Sequence, residues 1–167
     1  GTFVLDTSDD VLHTNDTIQI TGGDFTIASG DDGIHADNTV TIDDGTIDIN
    51  QSYEGIEATK IILNGGKITL TATDDGINAA GGNDASAVSG RPGENTFTST
   101  AEGAGLLTIN GGSLVVNASG DGLDSNGSIV APRLPLDDLA ALIGHADLAV
   151  GVDTGLVHLA TALDIPT

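Results

Sequence analysis

Along residues 1–130, apolar residues recur at i and i+2 in short runs, and each run ends at glycine or at paired acids. One set of pairs is Ile18/Ile20, Val40/Ile42, Ile61/Leu63 and Leu107/Ile109. A glycine corner follows each: Gly22-Gly23, Asp44-Gly45, Gly65-Gly66 and Gly111-Gly112. The next set is Phe3/Leu5, Phe25/Ile27, Ile47/Ile49, Ile68/Leu70 and Leu114/Val116, and a third ladder is Leu12, Ile34, Ile56, Ile77 and Leu123. Alternation with period two predicts half-buried strands.

The turns repeat as well. Asp9-Asp10-Val11-Leu12-His13 is followed 22 residues later by Asp31-Asp32-Gly33-Ile34-His35, and another 22 on by Tyr53-Glu54-Gly55-Ile56-Glu57. Asp74-Asp75-Gly76-Ile77-Asn78 comes 21 later, and Gly120-Asp121-Gly122-Leu123-Asp124 a further 46. Three short strands per period near 22 predict an all-β fold, a right-handed parallel β-helix in which each coil covers the apolar face of the next. A twisted antiparallel sandwich is the rival, but it has no need of one turn sequence at one place in every repeat.

The organisation predicted is a β-helix over 1–130 with an insertion loop at 79–105, then a different segment over 131–167. Pro132-Arg133-Leu134-Pro135 ends the period, because two prolines forbid a regular ladder. Beyond it, residues 136–144 read as a helix, 148–152 as a strand and 154–163 as a second helix, an αβα segment. This tail is expected to cap the end of the β-helix. Without a cap, exposed strand edges predict end-to-end self-association into a homo-oligomer.

Composition sharpens the picture. With no Trp, Met or Cys and three Phe, the core must be thin layers of Ile, Leu, Val and Ala, and neither disulfides nor thiolate metal sites are available. The net charge is −21, of which residues 1–131 carry −17, from 20 acids against Lys60, Lys67 and Arg91. Such a chain repels nucleic acid and anionic membrane. No apolar run reaches membrane-spanning length, and no signal peptide is visible at Gly1.

Superposing the coils places Asp10, Asp32, Glu54, Asp75 and Asp121 in one column, with Asp9, Asp31 and Asp74 beside it. Three residues on lie His13, His35, Glu57, Asn78 and Asp124. Carboxylates of successive coils about 5 Å apart oppose folding unless a cation lies between them. Calcium, with six to eight oxygen ligands in flexible geometry, fits better than magnesium. His13 and His35 read first as stacked surface imidazoles and second as transition-metal ligands. Tyr53 and Arg91 are the candidate ligand contacts.

The DDGIH and DDGIN turns, the NGG strand breaks, "GINAAGGNDAS" and "LTINGGSLVVNASGDGLDSNGSI" resemble a bacterial family of secreted, carbohydrate-binding β-helix proteins over about residues 2–130. The resemblance implies a pectate-lyase-like fold that binds calcium and acidic polysaccharide such as polygalacturonate without cleaving it. It implies calcium at Asp31, Asp32, Asp74, Asp75, Asp121 and Asp124, with Asn83 and Asp84 from the insertion. It also implies an extracellular or cell-surface location.

A second resemblance covers about residues 131–167, where "LPLDDLAALIGHADLAVGV" precedes Asp153-Thr154-Gly155-Leu156-Val157-His158-Leu159-Ala160. This stretch resembles glycosyltransferase family 9, the heptosyltransferases of lipopolysaccharide synthesis, so the chain reads as a chimera. The resemblance implies that Asp153, Thr154, Gly155 and His158 face a nucleotide-sugar diphosphate. One strand cannot form a nucleotide crevice, so these residues are expected to be vestigial.

The function expected is therefore a non-catalytic module binding calcium and acidic polysaccharide outside the cell. The alternative is a calcium-stiffened structural or self-assembling solenoid. A polysaccharide lyase ranks lower, because Lys60, Lys67 and Arg91 lack an evident partner for proton removal, and heptosyltransferase activity lower still. No enzyme activity is expected.

Overall fold

The structure, a computed structural model, describes residues 1–79 and 105–131. The chain divides into two units, Gly1–Ala131 and Pro132–Thr167. The αβα segment and its capping role fall in the second unit, outside the described residues, as do residues 80–104 of the insertion.

The first coil holds β1 (Thr2–Asp6), β2 (Leu12–Thr14) and β3 (Thr17–Ile20). In the second, β4 (Asp24–Ala28) is followed by one long strand, β5 (Ile34–Ile42), and in the third β6 (Thr46–Gln51) is followed by β7 (Ile56–Leu63). The fourth contributes β8 (Lys67–Ala72), β9 (Ile77–Ala79) and β10 (Leu106–Ile109), and the fifth β11 (Ser113–Ala118), β12 (Leu123–Ser125) and β13 (Ser128–Val130). No helix occurs among the described residues. One sheet runs β1-β4-β6-β8-β11, and the remaining eight strands form the other. Every pairing is parallel, coil upon coil, which makes a β-solenoid.

Register follows the apolar ladders. Phe3, Phe25, Ile47, Ile68 and Leu114 are successive partners. So are Leu12, Ile34, Ile56, Ile77 and Leu123, and Ile18, Val40, Ile61, Leu107 and Ile129. A one-residue slip would turn every one of these side chains outward, so burial itself fixes the register. Each fully buried Ile or Leu contributes about 1.5–3 kcal/mol of transfer free energy. Burial is complete only in the middle coils, where Ile34, Ile56 and Ile77 are inaccessible. In the outer coils Phe3 and Ile129 remain 43% and 47% exposed. Each middle coil is covered on both sides. Phe3 stacks on Phe25 with ring centroids 4.7 Å apart, so the first coil meets its neighbour through an aromatic pair.

Two glycine columns permit this spacing. At the corners Gly45, Gly66 and Gly112 have φ of 120°, 84° and 92°, a region that L side chains avoid. In the acid turns, a Cβ on Gly33 would lie 2.7 Å from the carbonyl oxygen of Gly55, and one on Gly76 would lie 2.6 Å from that of Gly122. Coil packing there is backbone on backbone. Across the insertion the stacking resumes at once. Gly105 donates its N–H to Thr59 (2.8 Å), and Leu107 pairs with Ile61.

Candidate metal centre

After the first strand of each coil the chain turns through acid, paired in Asp9-Asp10, Asp31-Asp32 and Asp74-Asp75 and single at Glu54 and Asp121. The second acid of one coil is pinned by the backbone of the next: Asp32 N–H donates to Asp10 Oδ1 (3.0 Å), Glu54 N–H to Asp32 Oδ1 (3.1 Å), and Asp121 N–H to Asp75 Oδ1 (2.7 Å). One oxygen of each carboxylate is thus used by the fold, and the other is left to face the neighbouring column. That column is in register from coil to coil: His13, His35, Glu57, Asn78 and Asp124.

The two columns interlock on the diagonal. Asp10 Oδ2 is 3.2 Å from His35 Nδ1 of the next coil. Glu54 Oε1 accepts from Asn78 Nδ2 at 2.9 Å. Asp32 shares a hydrogen bond with Glu57, while Asp75 feels the charge of Asp124. Two rungs therefore pair an acid with a nitrogen group, and two pair acid with acid.

His35 is the centre of the N-terminal rungs. It is 7% exposed, and its Nδ1 lies 3.6 Å from Asp32 Oδ2 as well as facing Asp10. Its Nε2 lies 3.4 Å from Glu57 Oε2 and 3.9 Å from Asp37 Oδ1. His13 Nδ1 is 2.7 Å from the same Asp10 oxygen, and the two rings meet edge to face at 4.9 Å. The reading as stacked surface imidazoles is corrected here: one ring is buried, and carboxylates from three successive coils surround it.

The electrostatics follow from this placement. Burial opposes the charge on Asp10, but hydrogen bonds from His35, Asp32 N–H and His13 outweigh it and hold the carboxyl below its ordinary range. Burial likewise opposes protonation of His35, and Asp10, Asp32 and Asp37 override it, raising its pKa. Burial raises Asp32, and the adjacent Glu57 raises it further, to about 9. Asp75 is raised by burial and by Asp74, Asp124 and Asp121, against the hydrogen bond from Asp121 N–H.

Among the described residues, three groups bring their ligand atoms within 4.8 Å of one another: Asp9, Asp10 and Asp31; Asp10, His13 and His35; and Asp32, His35 and Glu57. Two oxygens on opposite sides of a calcium-sized cation are at most about 5 Å apart, so the all-oxygen group lies within the span one such ion bridges. At the C-terminal end the acids are more open. Gly120 lets them pack closely: a Cβ on it would collide with Asp75 Oδ1 and lie 2.8 Å from Asp74 Oδ1.

The expected metal residues thus separate. Asp9, Asp10 and Asp31 converge, and Asp32 joins His35 and Glu57 in a separate, buried group. Glu54, Glu57 and Asn78 are buried between coils at 1%, 0% and 4% exposure. Asp74, Asp75, Asp121 and Asp124 share one region of charge. Tyr53 donates its hydroxyl to Asp74 Oδ2 at 2.7 Å. Asn83, Asp84, Arg91, Asp153, Thr154, Gly155 and His158 lie outside the described residues. Sequence reasoning underrated His35. A signal was present, since the turn acid and the histidine lie 25 residues apart, one coil plus three.

No solved structure matches the chain. The model of glycosyltransferase family 9 (heptosyltransferase) matches residues 114–167, reaching back over β11, β12 and β13 of the fifth coil. Lipopolysaccharide heptosyltransferase 1 of Pseudomonas aeruginosa is 55% identical over 38 residues, 23% of this chain. The chain spans about 11% of that relative's length. These matches overturn the expectation that the chain has no enzyme character. That expectation weighed what the β-solenoid lacks and what a transferase would need besides. Neither bears on the family to which the residues present are similar. The last third of the chain is similar to a glycosyltransferase, joined to a β-solenoid whose turns carry candidate metal groups.

Proposed function

We propose that the β-solenoid binds calcium at its acidic turns and, through that calcium, an acidic polysaccharide of the polygalacturonate type outside the cell. The observation that carries this reading is the convergence of Asp9, Asp10 and Asp31, three carboxylates within 4.8 Å. The quartet Asp74, Asp75, Asp121 and Asp124 offers a second place for the ion, where like charges need a cation. A chain of charge −21 repels a polyuronate, so attraction requires a bridging cation. Calcium held by three protein carboxylates keeps coordination positions that uronate carboxylates can fill.

The test is binding of the full chain to polygalacturonate in calcium and in chelator. Binding in calcium alone is expected, with Asp9→Asn/Asp31→Asn weakening it about a hundredfold, two charged ligands at about tenfold each. Equal binding in both buffers would remove the mechanism. Melting that rises with calcium, without glycan affinity, would reduce the reading to a calcium-stiffened solenoid.

A second reading belongs to the chain beyond the solenoid and rests on the family 9 match. It is sugar transfer from a nucleotide-sugar donor, with the diphosphate at Asp153-Thr154-Gly155 and His158. Release of nucleoside diphosphate from a nucleotide-heptose, lost in Asp153→Asn, would support it. No release above background would exclude it for this chain.

A further inference from the structure

We infer that His13 Nδ1, His35 Nδ1 and Asp10 Oδ2 form a three-ligand site for a zinc-type dication, chemically distinct from the calcium sites. Tetrahedral zinc with ligands at about 2.0–2.1 Å sets its donors roughly 3.3–3.4 Å apart. The His35–Asp10 separation is 3.2 Å, already close to that edge. The His13–Asp10 separation is 2.7 Å, so His13 must open by a little over half an ångström. It can do so, because its side chain is 39% exposed and sits in a three-residue strand of the first coil. His35 and Asp10 form the fixed part of the site. Asp10 Oδ1 is held by Asp32 N–H at 3.0 Å, which aims Oδ2 at the imidazoles.

The surroundings suit a d-block ion. A metal on Nδ1 of His35 requires the proton on Nε2, and Glu57 Oε2 lies 3.4 Å from that atom to receive it. A carboxylate behind a ligating histidine fixes the tautomer and makes the ring more basic. Imidazole nitrogen selects zinc, cobalt, copper or nickel over calcium, which takes oxygen. Burial of His35 closes one side of the site, while the exposed side at His13 leaves a fourth position for water or a ligand carboxylate. The arrangement follows from the diagonal offset of the two columns: only the first two coils place histidines at both the adjacent and the diagonal positions from one aspartate. It stands independently of the calcium reading, with which it shares only Asp10.

The experiment titrates the metal-stripped full chain with cobalt(II) in calcium-free buffer. A single cobalt ion with the intense visible absorption of four or five coordination is expected, displaced by zinc. His13→Gln should weaken it at least tenfold while circular dichroism in chelator shows the β-solenoid still folded, and Glu57→Gln, altering a positioning residue, should weaken it about tenfold. A weak six-coordinate spectrum, or cobalt and zinc uptake that His13→Gln leaves unaltered, would overturn the site. Loss of calcium or glycan binding with the cobalt spectrum intact would overturn only the calcium reading.

Discussion

At the N-terminal end of the turn column Asp10 faces two imidazoles, while at the C-terminal end Asp75 faces Asp74, Asp121 and Asp124. The backbone is the same at both ends: each carboxylate accepts an N–H from the next coil, at 3.0 Å for Asp10 and 2.7 Å for Asp75. The shifts run in opposite directions. Asp10 is lowered, because hydrogen bonds from His35, Asp32 N–H and His13 outweigh its burial, and Asp75 is raised by burial and like charge. One repeat therefore produces two kinds of site. Nitrogen beside the acid gives a charge-balanced group suited to a d-block ion, and oxygen alone gives a group that a hard cation must balance. Between them, Glu54 accepts from Asn78, so an amide fills the place of an ion.

The largest effect should come from the stacking on which both ends depend. Gly55→Ala would press a Cβ onto the carbonyl of Gly76 and to 3.0 Å from Leu70. It should cost about 3 kcal/mol in chemical denaturation and remove metal stabilisation at both ends. Unchanged stability would mean that the coils are not spaced as described.

A smaller effect should come from the buried rung between the two ends, where Asp32 meets Glu57. Asp32 is raised from 3.8 to about 9 by burial and Glu57. The folded state then binds this proton more tightly, so the contribution of Asp32 to stability in chelator is full below pH 4 and is lost as pH rises through 9. Asp32→Asn keeps the acceptor for Glu54 N–H and supplies a donor toward Glu57. It should flatten this slope and stabilise the protein at pH 9 by about 1–2 kcal/mol. An unchanged slope of melting temperature against pH would show that Asp32 is not the titrating group.

The smallest effect belongs to the open C-terminal quartet. Asp75→Asn should relieve like-charge repulsion by less than about 1 kcal/mol in chelator, since solvent screens this partly exposed group. It should also weaken calcium there about tenfold, read by calorimetry. A loss of stability in chelator would show that the quartet is not under repulsion.

Much of the fold was legible because a solenoid writes its register into sequence period. Ile34, Ile56 and Ile77 align by counting, and the glycines of the acid turns mark where backbones approach most closely. The acid columns were legible for the same reason. Their diagonal interlock was not, because counting aligns a residue with its own copy and not with a different residue one coil on. Hence His35 read as exposed, and the meeting of Asp32 with His35 and Glu57 went unseen. The tail misled in the other direction. Its missing partners weighed against enzyme character, although Asp153-Thr154-Gly155 already carried the resemblance that the family match extends to residue 114.

Tyr53, the single tyrosine in a chain without tryptophan, donates to Asp74 Oδ2 at 2.7 Å, so it can report directly on an ion at the C-terminal acids. Terbium(III), an oxygen-seeking stand-in for calcium, should emit on tyrosine excitation, saturate with added protein, and lose its emission to calcium and in Tyr53→Phe. Absence of sensitised emission, or emission that calcium cannot displace, would contradict a cation held between the stacked turns.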